Sequence, residues 1–171
     1  MKETPEEYTQ RILGYVGGKD PLAVLAATAG KLARAVRGLT RAQLQKTPTS
    51  GKWSINEIIA HLAEAEIVIG WRLRSMISSS GCAIQAYDQD AWAANHGYSR
   101  MNAARSIETF RVLRTLNLAL LKSLKPGVLE HYGKHSERGK ETVAHTVRMA
   151  AGHDLNHLAQ IERILNSVRR R

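Results

Sequence analysis

Apolar residues along this chain recur at spacings of three and four, and no run shows convincing strict alternation, so helices are predicted from end to end. Thr4-Pro5-Glu6-Glu7 sets a capping residue before a proline and two acids. The helix it opens is expected to reach about Val16 and stop at Gly17-Gly18. Asp20-Pro21 repeats the start signal, and Leu22, Leu25, Ala26, Ala29, Leu32, Ala33 and Val36 then form one apolar stripe that ends at Gly38. Thr40 is expected to open a short turn before the loop from Thr47 to Gly51. Ser54-Ile55-Asn56-Glu57 has the form of a capping box. Its helix should extend to about Ser78, where Ser78-Ser79-Ser80-Gly81 breaks it. From Cys82 to Tyr98 the pattern is irregular, with one short helix expected around Asp90 to Asn95. A further long helix is predicted from about Asn102 to Leu124, closed by Lys125-Pro126-Gly127. The polar stretch from His131 to Lys140 reads as a loop, and the last helix should start near Thr142 and run almost to the end. Four main amphipathic helices with connections of varied length predict an all-α fold, an up-down four-helix bundle with short extra helices in its connections.

Three histidines fall on the apolar faces of these helices. His153 and His157 are four residues apart on the last one, in line with Met149, Ile161 and Ile164. Residues so spaced stack on one helix face. His61 shares a face with Ile58, Ala65, Val68 and Ile69. A single inward histidine is usually a core residue with a hydrogen-bonded ring. Several imidazoles among aliphatic side chains cost stability unless their nitrogens are satisfied. A shared metal ion would satisfy one nitrogen on each ring, and three protein ligands leave coordination positions open for water or substrate. Asp154 stands where a zincin helix carries glutamate, so that chemistry is not indicated. Glu57 and Glu64 flank His61 in sequence, and either could accept a hydrogen bond from its free ring nitrogen, although Glu57 suits capping as well. Arg72, three turns beyond His61, could hold an anionic substrate. His135 is expected at the surface, and His96, His131 and His145 have no partner at useful spacing.

Composition narrows the setting. A chain of 171 residues is expected to form a single domain spanning 1–171, its core built mainly of Leu, Ile, Val and Ala because it has one Phe. Cys82 stands alone, which excludes an intramolecular disulfide or a cysteine-based zinc knuckle and suits a reducing compartment. No stretch approaches a membrane span, and the polar N-terminus lacks the apolar run of a signal peptide, so a cytoplasmic protein without a membrane partner is expected. The formal net charge is +10. Part of it is a solvated stripe of Lys31, Arg34, Arg37 and Arg41, and part is the tail Arg169-Arg170-Arg171 near a helix C-terminus. Aromatic residues are not interleaved with the basic ones and no nucleic-acid motif is present, so a nucleic-acid partner is not expected.

The sequence from Trp53 to Glu66, Trp53-Ser54-Ile55-Asn56-Glu57 through His61-Leu62-Ala63-Glu64, resembles the second-helix motif of the DinB/YfiT-like superfamily. His153-Asp154-Leu155-Asn156-His157-Leu158-Ala159-Gln160-Ile161 is similar to its last-helix motif. Between them, His135-Ser136-Glu137-Arg138-Gly139 and Thr142 resemble the loop before that helix. The resemblance implies a four-helix bundle of that type, often a homodimer, with a divalent metal bound by three histidines. Carried over position by position, these are His61, His153 and His157. Some members are metal-dependent transferases or isomerases that use a low-molecular-weight thiol.

Imidazole ligands suit zinc, nickel, copper and iron; zinc or nickel is expected first, with manganese or iron next. The leading expectation is an enzyme that activates a thiol or water for transfer to a small electrophilic substrate, a thiol S-transferase, isomerase or hydrolase. The alternative is a non-catalytic protein in which metal stabilises the bundle or is sensed. A third reading, nucleic-acid binding through the basic surface, would require salt-sensitive affinity for random duplex DNA.

Overall fold

The computed structural model describes residues 3–169. Arg170, Arg171 and the side chain of Arg169, which carry the basic tail, lie outside the described residues. Helix α1 spans Pro5–Val16, capped by reciprocal hydrogen bonds between Thr4 and Glu7. Helix α2 spans Pro21–Ala35, its first turn held by the Asp20 carboxylate. The turn expected at Thr40 is a short helix, α3 (Arg41–Gln45), with a capping box of its own. Helix α4 spans Ile55–Ser78, and Ser54 and Glu57 cap it as the sequence predicts. After α5 (Gln89–Asn95) and a 3-10 turn at Tyr98–Arg100, α6 spans Ala103–Lys122 and α7 spans Val143–Arg169. Among the described residues no helix is long and apolar enough to cross a membrane.

The expected four-helix bundle is formed by α2, α4, α6 and α7. Helix α4 packs against α6 and α7, and so does α2, which leaves the consecutive helices α2 and α4 on a diagonal. The core has two ends. Val24 and Leu25 meet Leu73, Met76, Leu121, Val143 and Val147 at one end; Leu32 meets Ile55, Ile58, Ile59, Phe110, Ile161 and Ile164 at the other. Helices α2 and α7 therefore run one way and α4 and α6 the other, an up-down-down-up order rather than strict alternation. The cause is the connection after α4. It folds back along that helix, so that Tyr98 and Ser99 accept hydrogen bonds from Asn56 near the start of α4. Helix α6 then starts at the end where α4 started.

The helical bundle is as expected, but the reading of two of its connections as irregular or loop needs correction. The stretch from Cys82 to Tyr98 and the expected loop from His131 to Lys140 contribute a three-stranded sheet: β1 (Cys82–Ile84), β2 (Tyr132–His135) and β3 (Gly139–Thr142). Strand β1 pairs in parallel with β2, Ile84 opposite His135, and β2 pairs antiparallel with β3, His135 opposite Gly139. These strands have three or four residues, too short for alternation to be read. Their inward positions on β2 are Gly133 and His135 rather than large aliphatics. A Cβ at Gly133 would overlap the side chain of Ile84, so a larger residue there would have to displace it. The sheet covers the α4–α7 end of the bundle and turns His135 inward.

Candidate metal centre

Because α4 and α7 are antiparallel neighbours, His61 lies opposite His153 and His157. The ring nitrogens converge: His61 Nε2 is 3.0 Å from His153 Nε2, which is 3.2 Å from His157 Nε2. Two nitrogens bound to one ion at ~2.0–2.1 Å stand roughly 2.9–3.4 Å apart, so these separations match edges of a coordination polyhedron. His61 is fully buried, His157 nearly so, and His153 partly. Burial holds the His61 ring down to about 3, with His157 adding to the shift, and holds His157 down to about 4. His153 is likewise well below the ordinary histidine range, through burial and then its two neighbours. All three rings are neutral at pH 7.

A neutral imidazole carries one N–H and one lone pair. On His157, Nδ1 lies 3.0 Å from Gln160 Oε1, an acceptor, which places the proton on Nδ1 and the lone pair on the convergent Nε2. His153 Nε2 could donate to one of its two neighbours but not to both. The Nδ1 atoms of His61 and His153 are buried without a partner among the described residues. No choice of tautomers satisfies this cluster from within, whereas one cation would satisfy all three Nε2 atoms together. The donor set therefore fits a divalent metal.

The carboxylates expected beside His61 are engaged elsewhere. Glu57 accepts from Ser54 N and Oγ, so capping has claimed it, and Glu64 pairs with His96 Nδ1 at 2.9 Å. His135 is a second correction: it is buried rather than at the surface, with Nδ1 accepting from Glu137 N. His131 meets the Ile77 carbonyl and His145 lies 4.0 Å from Glu141. Beside the histidines opens a cavity of about 390 Å³. Its wall includes His153, Arg72, Tyr8, Tyr87, His135 and Arg138. His153 is thus the member of the cluster that faces this space, within reach of a bound small molecule.

The sequence model of the DinB superfamily matches residues 25–161, a span that includes all three histidines. The chain belongs to the DinB superfamily. One relative, from Oceanobacillus iheyensis and provisionally named a metal-dependent hydrolase, is 29% identical over 130 residues, covering 76% of this chain and 75% of its own. YfiT of Bacillus subtilis, provisionally named in the same way, is 25% identical over 142 residues, 82% of this chain and 79% of its own. A solved structure of YfiT, titled as a probable metal-dependent hydrolase with an unusual four-helix bundle topology, matches with a TM-score of 0.82. That match covers 98% of this chain and 90% of YfiT at 20% identity, a likeness of fold.

Two supports of this DinB-superfamily site were not read from the sequence. Arg114 on α6 is buried and forms two hydrogen bonds with Asp154, at 2.6 and 3.1 Å, and one with Glu66 at 2.8 Å. Asn117 Nδ2 completes Glu66 at 2.7 Å. Asp154 therefore ties the segment between His153 and His157 to α6. Asn156, also between them, meets Arg11 of α1. The available signal was Arg114 and Glu66 standing at core-facing positions among apolar residues. The second support is Gly152, where α1 crosses α7 so closely that a Cβ would overlap the Ile12 carbonyl oxygen and lie 2.8 Å from its carbon. Backbone cannot yield as a side-chain tip would. Gly152→Ala is expected to destabilise the chain by about 3 kcal/mol, the upper part of the range for overpacking, and to displace His153 next to it. Urea unfolding checks this; a midpoint within error of wild type would show that α1 gives way freely.

Proposed function

We propose that this chain is a metal-dependent enzyme in which His61, His153 and His157 hold one divalent ion that activates water, or a low-molecular-weight thiol, for attack on a small electrophile in the adjoining cavity. The observation that carries this reading is the convergence of three neutral imidazole nitrogens that no protein donor can satisfy together. The relatives' provisional names favour water, hence hydrolysis. Zinc or nickel is the preferred ion, with manganese or iron next, since imidazole does not decide among them.

His61, His153 and His157 would hold such an ion as neutral ligands, leaving its full charge to lower the pKa of water or a thiol bound to it. The protein's residues have definite parts. Gln160 fixes the tautomer of His157. The Trp53 ring, 4.9 Å from that of His61, closes the cluster on the side of α4's start. His153 faces the cavity that would receive the substrate. With Glu57 and Glu64 engaged, neither serves as a general base at His61.

The test is turnover by metal-loaded protein on small activated esters and amides, and on thiols paired with electrophiles. Activity that appears on loading, vanishes on chelation and is absent from His157→Ala is expected. A tightly held metal that shows no exchangeable water and raises only the melting temperature would overturn it in favour of a structural metal. A homodimer remains part of the proposal. Its support is that Ile67 and Trp71 on α4 and Val112 and Leu116 on α6 are large, apolar and exposed on helices packed side by side. Sedimentation at micromolar concentration reads this directly, and a monomer would remove it.

A further inference from the structure

Beyond the histidine cluster, the cavity wall contains three buried polar groups, Arg72 among them, to which the proposed function gives no part. Arg72 is 9% exposed; its Nη2 donates to the Gln85 carbonyl at 2.6 Å, and its Nε–H is buried without a partner. Among the described residues no carboxylate pairs with it, in contrast to Arg138, whose guanidinium is held on Glu141 at 2.6 and 3.2 Å. His135 is 4% exposed. Its Nδ1 accepts from Glu137 N, so in the neutral ring the proton sits on Nε2, which is buried and unpartnered. Thr146, on the first turns of α7, has a buried hydroxyl that likewise lacks a partner. All three residues line the same cavity, on the wall that also holds His153.

A buried donor without an acceptor costs stability, more so when it is charged. Three such groups around one space, each able to donate and only the Thr146 hydroxyl also able to accept, describe the surroundings of an anion. We propose that Arg72, His135 and Thr146 form the subsite for a carboxylate group of the substrate, which holds the rest of the molecule towards His153. The proposal rests on the reading above only in placing the reactive end of the ligand at the histidines. A carboxylate fits better than a phosphate for two reasons. Arg72 supplies a single positive charge, and Glu3, Asp88 and Glu137 are exposed along the same cavity, which disfavours a dianion. The remaining wall has Ala65, Val68, Ile69 and Met149 beside Tyr8 and Tyr87, so the body of the ligand is apolar or aromatic. Tyr87 lies under the Arg72 guanidinium, 6.0 Å from its ring centre, and steadies its plane.

The experiment is calorimetric titration of the as-purified full-length chain with benzoate, and with benzamide as the uncharged analogue of the same shape. It is run before and after treatment with a chelator. Benzoate is expected to bind in both states and benzamide much more weakly. Losing a hydrogen bond to a charged group corresponds to about a tenfold weakening, the change expected for benzoate on Arg72→Gln. Arg72→Lys should lose less, because it keeps the charge. Metal content should be unchanged in both variants, which separates this subsite from the histidine cluster. Equal binding of benzoate and benzamide, benzoate affinity indifferent to Arg72→Gln, benzoate binding that needs the metal, or tighter binding of inorganic phosphate would each overturn the assignment.

Discussion

Replacing Arg114 with Met is expected to destabilise this protein by about 3–5 kcal/mol, the range for removing one partner from a buried ion pair. The reason is an imbalance of charge inside the bundle. Arg114, Glu66 and Asp154 are all nearly inaccessible, so one cation serves two carboxylates. Burial disfavours the charged guanidinium, but Asp154 and then Glu66 more than offset it and raise the Arg114 pKa. Its hydrogen bond to the Leu25 carbonyl ties α2 to the same group, and its guanidinium lies 4.5 Å from the centre of the Phe110 ring. Without it, two carboxylates are left in the core and two helices lose their link to α6. Denaturant unfolding measures the loss. The triple change Arg114→Met, Glu66→Met, Asp154→Leu should recover most of it, because the cost lies in the unpaired charges rather than in the pair. A single variant within about 1 kcal/mol of wild type would show that water reaches these carboxylates.

The same arrangement shows which features a sequence can display. Helix starts were legible because capping is local: Thr4 with Glu7 and Ser54 with Glu57 lie three residues apart, and their side chains close the turn they sit in. The three histidines were legible because apolar periodicity places each on an inward face, and the motifs from Trp53 to Glu66 and from His153 to Ile161 resemble those of the DinB superfamily. Directions of the helices were not legible. The connection after α4 could return either way, and contacts such as Asn56 with Tyr98 decide it. Nor was the partner of Glu64: His96 is 32 residues away and reaches it only after the connection folds back. His135 looked like a loop residue because its strand inserts glycine and histidine where an apolar pattern would be sought. Arg72 is the instructive case, since its helical spacing from His61 suggested an anion site and the cavity gives it two further donors.

Loss of one imidazole from the cluster should have the largest effect of all on metal affinity. Changing a residue that merely orients a ligand costs roughly 10–100-fold, so removing a ligand should cost more than about 100-fold. The backbone around the histidines has its own supports in the Arg114 network, in Gly152 against α1 and in the Ser54 cap. His61→Ala and His157→Ala should therefore keep the helical content of the parent while losing the ion. Elemental analysis of protein purified without a histidine tag, in parallel with these two variants, measures this directly. About one divalent metal per chain is expected in the parent and almost none in either variant. A parent chain that holds no metal after reconstitution with zinc, nickel, manganese and iron, or variants that retain it in full, would rule out a metal centre at these three histidines.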